Sequence, residues 1–574
     1  MNSLDLGYLR SQIIGINHKI DTPFGRRLIT YADYTASGRG LEFVENYLIE
    51  LEALYANSHT EDDTTGRVTT QLLHQAEAII KRAVNAGEEG RIIACGTGAT
   101  AAIDRMQQLV GVKLSAVTRL NLESLLSGFL GPVRRQDFQQ YLSEKQPVVF
   151  VGPYEHHSNE ISWREGLATV IEVRLSDDGE IDLGHLEELL QLPEYQGRLR
   201  IGSFSAASNV TGMRTPVHEV ARLLHRYDAW AFFDYAACAP YVEIDMAPQD
   251  DPDAALDAVF ISPHKFLGGP GASGVLVFNT RCYQPDIAPS VAGGGTVDYV
   301  GMHGHDFIPD IEVRENAGTP GILQILKAAL AFEVKSAVGV ECIEQREHKM
   351  TALAFERWSA HPQIDILGNL DPAKRISIIS FNIRGDSGQY LHPKFITTLL
   401  DDLFGIQSRA GCSCAGPYGH RLLGIAADQA DQYREWIHKG FNGIKPGWCR
   451  LGFHYVFDDA EVEFIIRAVE FVASHGHLFS VLYQFDPYTG TWRHKKAVEQ
   501  RLSLSLDAAL RPDKQDAEVI STEARSQLYE DYFAQAGQWI EVLRQYSGQE
   551  EVLIDSALEG LQFFELRQAN LDVD

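Results

Sequence analysis

The chain is short of cysteine, short of basic residues relative to acidic ones, and without long apolar runs, and each shortage excludes a class of protein. Seven cysteines scattered through 574 residues cannot form a disulfide framework, so buried apolar surface has to hold the fold. Fifty lysines and arginines against 78 aspartates and glutamates leave a formal charge of −28. Such a surface repels polyanions, so neither nucleic acid nor an anionic membrane is an expected partner. No apolar run approaches the ~20 residues that span a bilayer. The start, Met1-Asn-Ser-Leu-Asp-Leu-Gly-Tyr8, has no basic segment leading into an apolar one, so no signal peptide is expected. These absences lead to the expectation of a cytoplasmic protein with reduced thiols. The Cys412-Ser-Cys414 pair has too few ligands for a structural zinc site, and no Cys/His cluster complements it; no metal is expected.

What is present is an ordinary globular composition, 45% hydrophobic and 22% charged, in a chain long enough for more than one domain. Short apolar runs alternate with helical stretches from about 90 to 280. Strands are expected at 91–95, 148–152, 170–174, 201–204, 229–234, 259–261 and 275–278, with helices such as 216–226, Pro216 at its first position, between them. Buried runs alternating with helices imply a mostly parallel sheet covered on both faces. The expected architecture is α/β: a large three-layer domain over 30–320, a smaller α+β domain from 1–29 and 321–480, and an acidic, helical extension over 481–574. Residues 323–350 read as one long helix, and 523–546 and 549–567 as helix-forming parts of the extension.

The reactive side chains gather where these strands end, which is where open α/β sheets bind ligands. The run Ala258-Val-Phe-Ile261 breaks at Ser262-Pro263-His264-Lys265, and Trp230-Ala-Phe-Phe ends in Asp234. A lysine able to form a Schiff base and a carboxylate able to hold a pyridinium nitrogen are what pyridoxal phosphate (PLP) requires. Gly96-Thr97-Gly98-Ala99-Thr100 follows a strand and opens a helix, and its N–H groups and hydroxyls suit a phosphate; alone, such a turn is usually only a turn. His156, after the strand at 148–152, could stack on a pyridine ring, though a lone histidine is more often a satisfied surface or core residue. Asn209 could donate to the cofactor's phenolic oxygen or simply serve its turn. Five such groups in order on successive strand ends are far less expected by chance.

Over 1–480 this set resembles the class V aminotransferase superfamily of fold-type I PLP enzymes, and most of all its cysteine desulfurase branch. The resemblance implies that His156 stacks on PLP, Asp234 pairs with its ring nitrogen, Ser262 and His264 join Thr97, Gly98 and Thr100 around the phosphate, and Lys265 carries the cofactor. Gln407-Ser-Arg409-Ala-Gly-Cys412-Ser-Cys414-Ala-Gly-Pro417 is similar to the desulfurase loop bearing the persulfide cysteine, which makes Cys414 the nucleophile. Its Gly-Cys-x-Cys form also resembles the desulfurase domain of molybdenum-cofactor sulfurases. Gly447-Trp-Cys-Arg450-Leu-Gly452 resembles the segment whose arginine grips the substrate carboxylate, a task suited to a bidentate guanidinium, and Arg409 is expected nearby, where its charge would favour a Cys414 thiolate. Asn316-Ala-Gly-Thr319-Pro320 resembles a segment that reaches the neighbouring subunit's active site, and so implies a homodimer with Thr319 among the residues that bind the cofactor. Cys412 either relays the persulfide or is a passive neighbour.

The chain departs from the pattern in four places. Asp234-Tyr-Ala-Ala237 offers Ala237 where desulfurases usually have glutamine. The phosphate turn lacks the usual Thr-Thr pair, leaving open which hydroxyl binds. The segments 106–147 and 419–446 are longer than usual, and are expected to reshape the substrate mouth. The implied reaction converts L-cysteine to L-alanine through a persulfide on Cys414, with a protein as a possible sulfur acceptor. The alternatives are a class V aminotransferase, C–S lyase or epimerase acting on another amino acid, with Cys414 idle. A non-catalytic scaffold with a partner-binding tail would have no need of Lys265, Asp234, His156 and Arg450 together.

Overall fold

Runs of valine, isoleucine and phenylalanine with no polar alternation can be satisfied only between two layers of helix, and the computed structural model realises that arrangement. It describes residues 4–58, 62–496, 520–546, 550–558 and 560–568, divided into two units.

The first unit contains the residues up to Tyr8, Thr35–Gln345 and Lys374–Ile376. Its strands are β1 (Gly90–Cys95), β2 (Val148–Val151), β3 (Thr169–Glu172), β4 (Arg200–Ser205), β5 (Trp230–Asp234), β6 (Ala258–Ile261) and β7 (Gly274–Asn279). They form one seven-stranded sheet in the order β1-β7-β6-β5-β4-β2-β3. The pairs from β3 through β6 are parallel, and β7 runs antiparallel to both β1 and β6. All seven expected strands are present, with shifts of one or two residues at their ends. The helices include α1 (Thr64–Ala83), α2 (Gly98–Leu109), α3 (Ala116–Lys145), α4 (Val217–Arg226) and α5 (Ile322–Val338). Pro216 caps α4 rather than occupying its first turn.

Several expectations need correction. The single helix over 323–350 is two, because Gly339 takes φ +88° between α5 and α6 (Val340–Ser359), a conformation glycine adopts without cost. The unit boundaries also differ from those expected. Residues 321–345 stay with the large unit, where α5 packs on α1. Most of the segment 106–147 is α3, which leads into β2 at the end of that strand opposite His156. Gly131 (φ 72°, ψ 172°) and Pro132 kink α3 into two arms, none of whose described residues is buried.

The second unit contains Leu9–Tyr34, Arg346–Ala373 and the described residues from Ser377 onward. Its antiparallel sheet, β8 (Ile364–Ile366), β9 (Ile378–Ile383), β10 (Arg409–Gly411) and β11 (Trp448–Gly452), has the order β8-β9-β11-β10. Helices α7 (Pro393–Phe404), α8 (Gly416–Leu422), α9 (Ala427–His438), α10 (Asp459–Phe479) and α11 (Thr522–Leu543) complete it. By length and apolarity a stretch containing α10 could cross a bilayer, but 67% of its apolar 18-residue window is buried, as in a core helix. The C-terminal region is integrated rather than appended, since Tyr529 of α11 stacks on Phe464 of α10 with centroids 3.8 Å apart. The helix expected over 549–567 is absent from the described residues there. Asp555 caps a single 3-10 turn, Ser556–Leu558, Gly560 reverses the chain at φ +85°, and Glu550–Glu551 pairs with Arg567–Gln568. The part of 481–574 that lies at 497–519 falls outside the described residues.

Candidate active site

In the first unit the C-terminal ends of β1, β2, β4, β5 and β6 each present a polar group. At the end of β1, Gly98 opens α2 with φ +59°, and a Cβ there would lie 2.8 Å from Ser262 Oγ. The Ala99 N–H donates to the same oxygen at 2.8 Å. This turn and the loop after β6 therefore close on each other with no room for a side chain, leaving a helix N-terminus and a serine hydroxyl side by side, a donor set for a phosphate dianion. Thr100 Oγ1 lies 2.7 Å from Ser158 Oγ, which lies 3.1 Å from His156 Nδ1. Because the Ser158 N–H can only donate to Nδ1 (3.2 Å), the neutral imidazole carries its proton on Nε2. Thr97 and Thr100 are both exposed.

Asp234 ends β5 fully buried and accepts from the Ala236 N–H at 2.8 Å. Burial raises its carboxyl above the usual range, while that hydrogen bond and the Lys265 charge pull it down. A protonated ring nitrogen is the partner such a carboxylate lacks. Lys265 ends the 3-10 turn Pro263–Lys265 and is half-buried. His264 Nδ1 lies 3.4 Å from Ser37 Oγ, and burial first, then the Lys265 charge, lower its basicity. The loop can be this tight because Gly269 passes where a Cβ would be 1.9 Å from the Pro263 carbonyl oxygen. Asn209 is buried in the turn after β4, where Ser208 Oγ accepts from the Val210 and Thr211 N–H groups.

These residues fit PLP: a cradle for the phosphate, a buried carboxylate for the ring nitrogen, an imidazole of fixed tautomer and a lysine whose charge reaches both Asp234 and His264. Thr319 is exposed and hydrogen-bonds Asn57 at 3.1 Å. Its neighbours Asn316, Ala317 and Pro320 share with Gly96, Thr97 and Arg105 the lining of a cavity of about 440 Å³.

Two residues of this unit drew little notice in the sequence. Glu155, wholly buried, accepts from the Gly152 and Ser205 N–H groups, Ser205 Oγ and Asn159 Nδ2. Burial raises its carboxyl to about 7, and its four bonds fix the His156 loop to β4. Ser158, which links Thr100 to His156, is the other. Neither has a signature before its partners are brought together.

The second unit gathers the remaining candidates. Cys412 and Cys414 are exposed, and the Ala415 N–H donates to the Cys412 carbonyl at 3.1 Å. That closes a tight turn whose central residues, Ser413 (φ 50°) and Cys414 (φ 58°), are both left-handed without being glycine, a costly backbone typical of functional sites. Arg409 and Arg450 are direct cross-strand partners in β10 and β11. Arg450 is almost fully buried; burial weakens its charged form most, Asp33 and Cys414 favour it, and Arg409 opposes it. By contrast Cys95, Cys238 and Cys449 are buried, and burial pushes each thiol up to about 12. Cys342 is exposed on α6.

The family model of aminotransferase class V matches residues 136–465, and the chain belongs to that family of PLP-dependent enzymes. Among curated proteins it is 30% identical over 296 residues to a probable cysteine desulfurase of Halalkalibacterium halodurans, covering 51% of this chain and 67% of the relative. It is 31% identical over 357 residues to probable cysteine desulfurase 2 of Mycobacterium leprae, covering 61% and 77%. Among solved structures, a cysteine desulfurase from Thermococcus onnurineus superposes with a TM-score of 0.62 at 21% identity, covering 83% of this chain and all of the other. The cysteine desulfurase CsdA of Escherichia coli gives 0.60 at 20%, covering 82% and 98%. The expected fold-type I architecture is therefore the one present.

Proposed function

We propose that this protein is a cysteine desulfurase that converts L-cysteine to L-alanine and leaves the sulfur as a persulfide on Cys414. The observation that carries the reading is Cys414 itself, an exposed thiol at the strained centre of a tight turn in the unit that also holds Arg450. PLP, when bound, supplies an electron sink that acidifies the Cα–H of an amino acid. Ser262, His264, the α2 N-terminus and a Thr97 or Thr100 hydroxyl would hold its phosphate, Asp234 would hold its ring nitrogen, and His156 and Asn209 would flank its ring.

Arg450 binds the substrate carboxylate, and the neutral Lys265 amine takes the Cα proton. The Cys414 thiolate attacks the substrate sulfur: an S–S bond forms, the Cβ–S bond breaks, and the electron pair leaves with the carbon, which is protonated to give alanine. Buried Glu155 keeps the His156 loop in register. The persulfide passes to a protein acceptor, with Cys412 as a possible relay. A homodimer is proposed from the Asn316–Pro320 segment's likeness to a subunit-bridging one, and a cytoplasmic location from seven cysteines with no disulfide among the described residues.

Incubation with L-cysteine and reductant, following sulfide and alanine together, tests this. Equimolar products, lost in Cys414→Ala while the bound-cofactor absorbance persists, are expected. Sulfide accompanied by pyruvate, or turnover indifferent to Cys414, would instead mean a lyase or aminotransferase.

A further inference from the structure

The second unit sets two guanidinium groups against each other with one carboxylate between them. Arg409 and Arg450 are opposed across the β10–β11 ladder, a placement that destabilises like charges. Asp33 gives one oxygen to each: Arg450 Nη2 donates to Oδ1 and Arg409 Nε donates to Oδ2, both at 3.0 Å. The Arg450 and Asp33 side chains are 4% and 11% exposed, and that of Arg409 is 53% exposed.

The carboxylate is delivered there by backbone hydrogen-bonded two residues away from each arginine. Thr30–Tyr31 pairs in parallel with Ile406–Gln407. The Ala32 N–H donates to the Gln407 carbonyl at 3.0 Å, and the Ala32 carbonyl accepts from the Gly452 N–H at 2.9 Å. Asp33 is thus clamped between the residue two places before Arg409 and the residue two places after Arg450. Together the three side chains carry one net positive charge, the complement of a single carboxylate.

We propose that Asp33 is a positioning residue: by bridging Arg409 and Arg450 it holds the buried Arg450 guanidinium in the orientation that binds the amino acid's carboxylate. This rests on the reading of Arg450 as the carboxylate-binding group. Asp33 does not touch the substrate; it acts through the fork of Arg450, whose geometry is fixed only while the opposed charge is neutralised.

The test uses the PLP-loaded protein. Asp33→Asn keeps the shape, but its single acceptor oxygen cannot serve both arginines. Its KM for L-cysteine is expected to rise about tenfold or more with kcat within about threefold, the signature of lost carboxylate binding. Adding Arg409→Gln removes the opposing charge, and the double variant should recover at least about fivefold of that KM. A KM that stays the same or falls in Asp33→Asn, or a double variant as impaired as the single, overturns the inference. If Asp33→Asn does not fold, a folded and active double variant supports it, and a double variant that also fails overturns it, because Asp33 then serves the fold alone. Wild-type protein without turnover of L-cysteine overturns the desulfurase reading and this inference together; turnover unaffected by Asp33→Asn overturns only this one.

Discussion

Cys414 holds a backbone conformation that its own Cβ disfavours, and Ser413 beside it does the same. Each left-handed non-glycine residue costs about 1 kcal/mol or more, so replacing Cys414 with glycine or with alanine should differ in its effect on stability. Cys414→Gly is expected to be more stable than Cys414→Ala by about 1 kcal/mol, after allowing for the greater freedom of glycine in the unfolded chain. Equal melting of the two variants would mean that the turn relaxes. Single residues also show what a sequence can disclose. Lys265, Asp234 and His156 were legible because each lies at or within five residues of the end of an apolar run, so strand and reactive group are read together. Asp33 and Glu155 were not: Arg450 is 417 positions from Asp33 and Ser205 is 50 from Glu155. Nothing local marks an acid whose partners come from other strands.

At the level of elements, the strands were the most readable, since a buried parallel strand is a short apolar run with turns at its ends. Helix limits were less so. Glycines decided them, Gly339 splitting one expected helix and Gly560 helping to prevent another, and helical periodicity alone does not say whether a glycine is tolerated or terminates. The long segment before β2 was readable as an insertion but not as an arm at the far end of its strand. Its residues Leu120, Leu125 and Phe129 are 66%, 71% and 88% exposed, so little packing holds the kink closed. Limited trypsinolysis is expected to cut first after Arg134 or Arg135, just beyond the kink, leaving a nicked protein that stays assembled, because Arg119 ties the arm's base to the Glu165 and Gly166 carbonyls. An arm protected in the native protein would show that something covers it.

For the molecule as a whole, acid should act on the second unit through neutral imidazoles. His392 accepts from the Lys394 N–H and bonds the Gly443 carbonyl at 3.0 Å, among the rings of Phe485, Trp492, Phe563 and Phe564. Burial lowers it to about 3, and His454 likewise. The folded pKa lies below the unfolded value near 6.5, so from there down to about 3 the unfolded state binds the proton and stability falls by up to about 1.4 kcal/mol per pH unit for each imidazole. Melting temperature is expected to drop between pH 7 and pH 5, and to drop less in His392→Gln. Equal slopes would exclude this histidine as a cause.

The sheet order has a consequence for how the protein is made. Among the described strands β1 pairs only with β7, although the ribosome finishes one long before the other. Until residues 274–279 emerge, the strand leading into Gly98 has no neighbour, and Ser262, the other half of the phosphate cradle, arrives only shortly before. A nascent chain therefore carries an open, aggregation-prone edge through about a third of its synthesis. It can capture its cofactor only after that edge has closed, so cofactor loading follows formation of the sheet rather than guiding it.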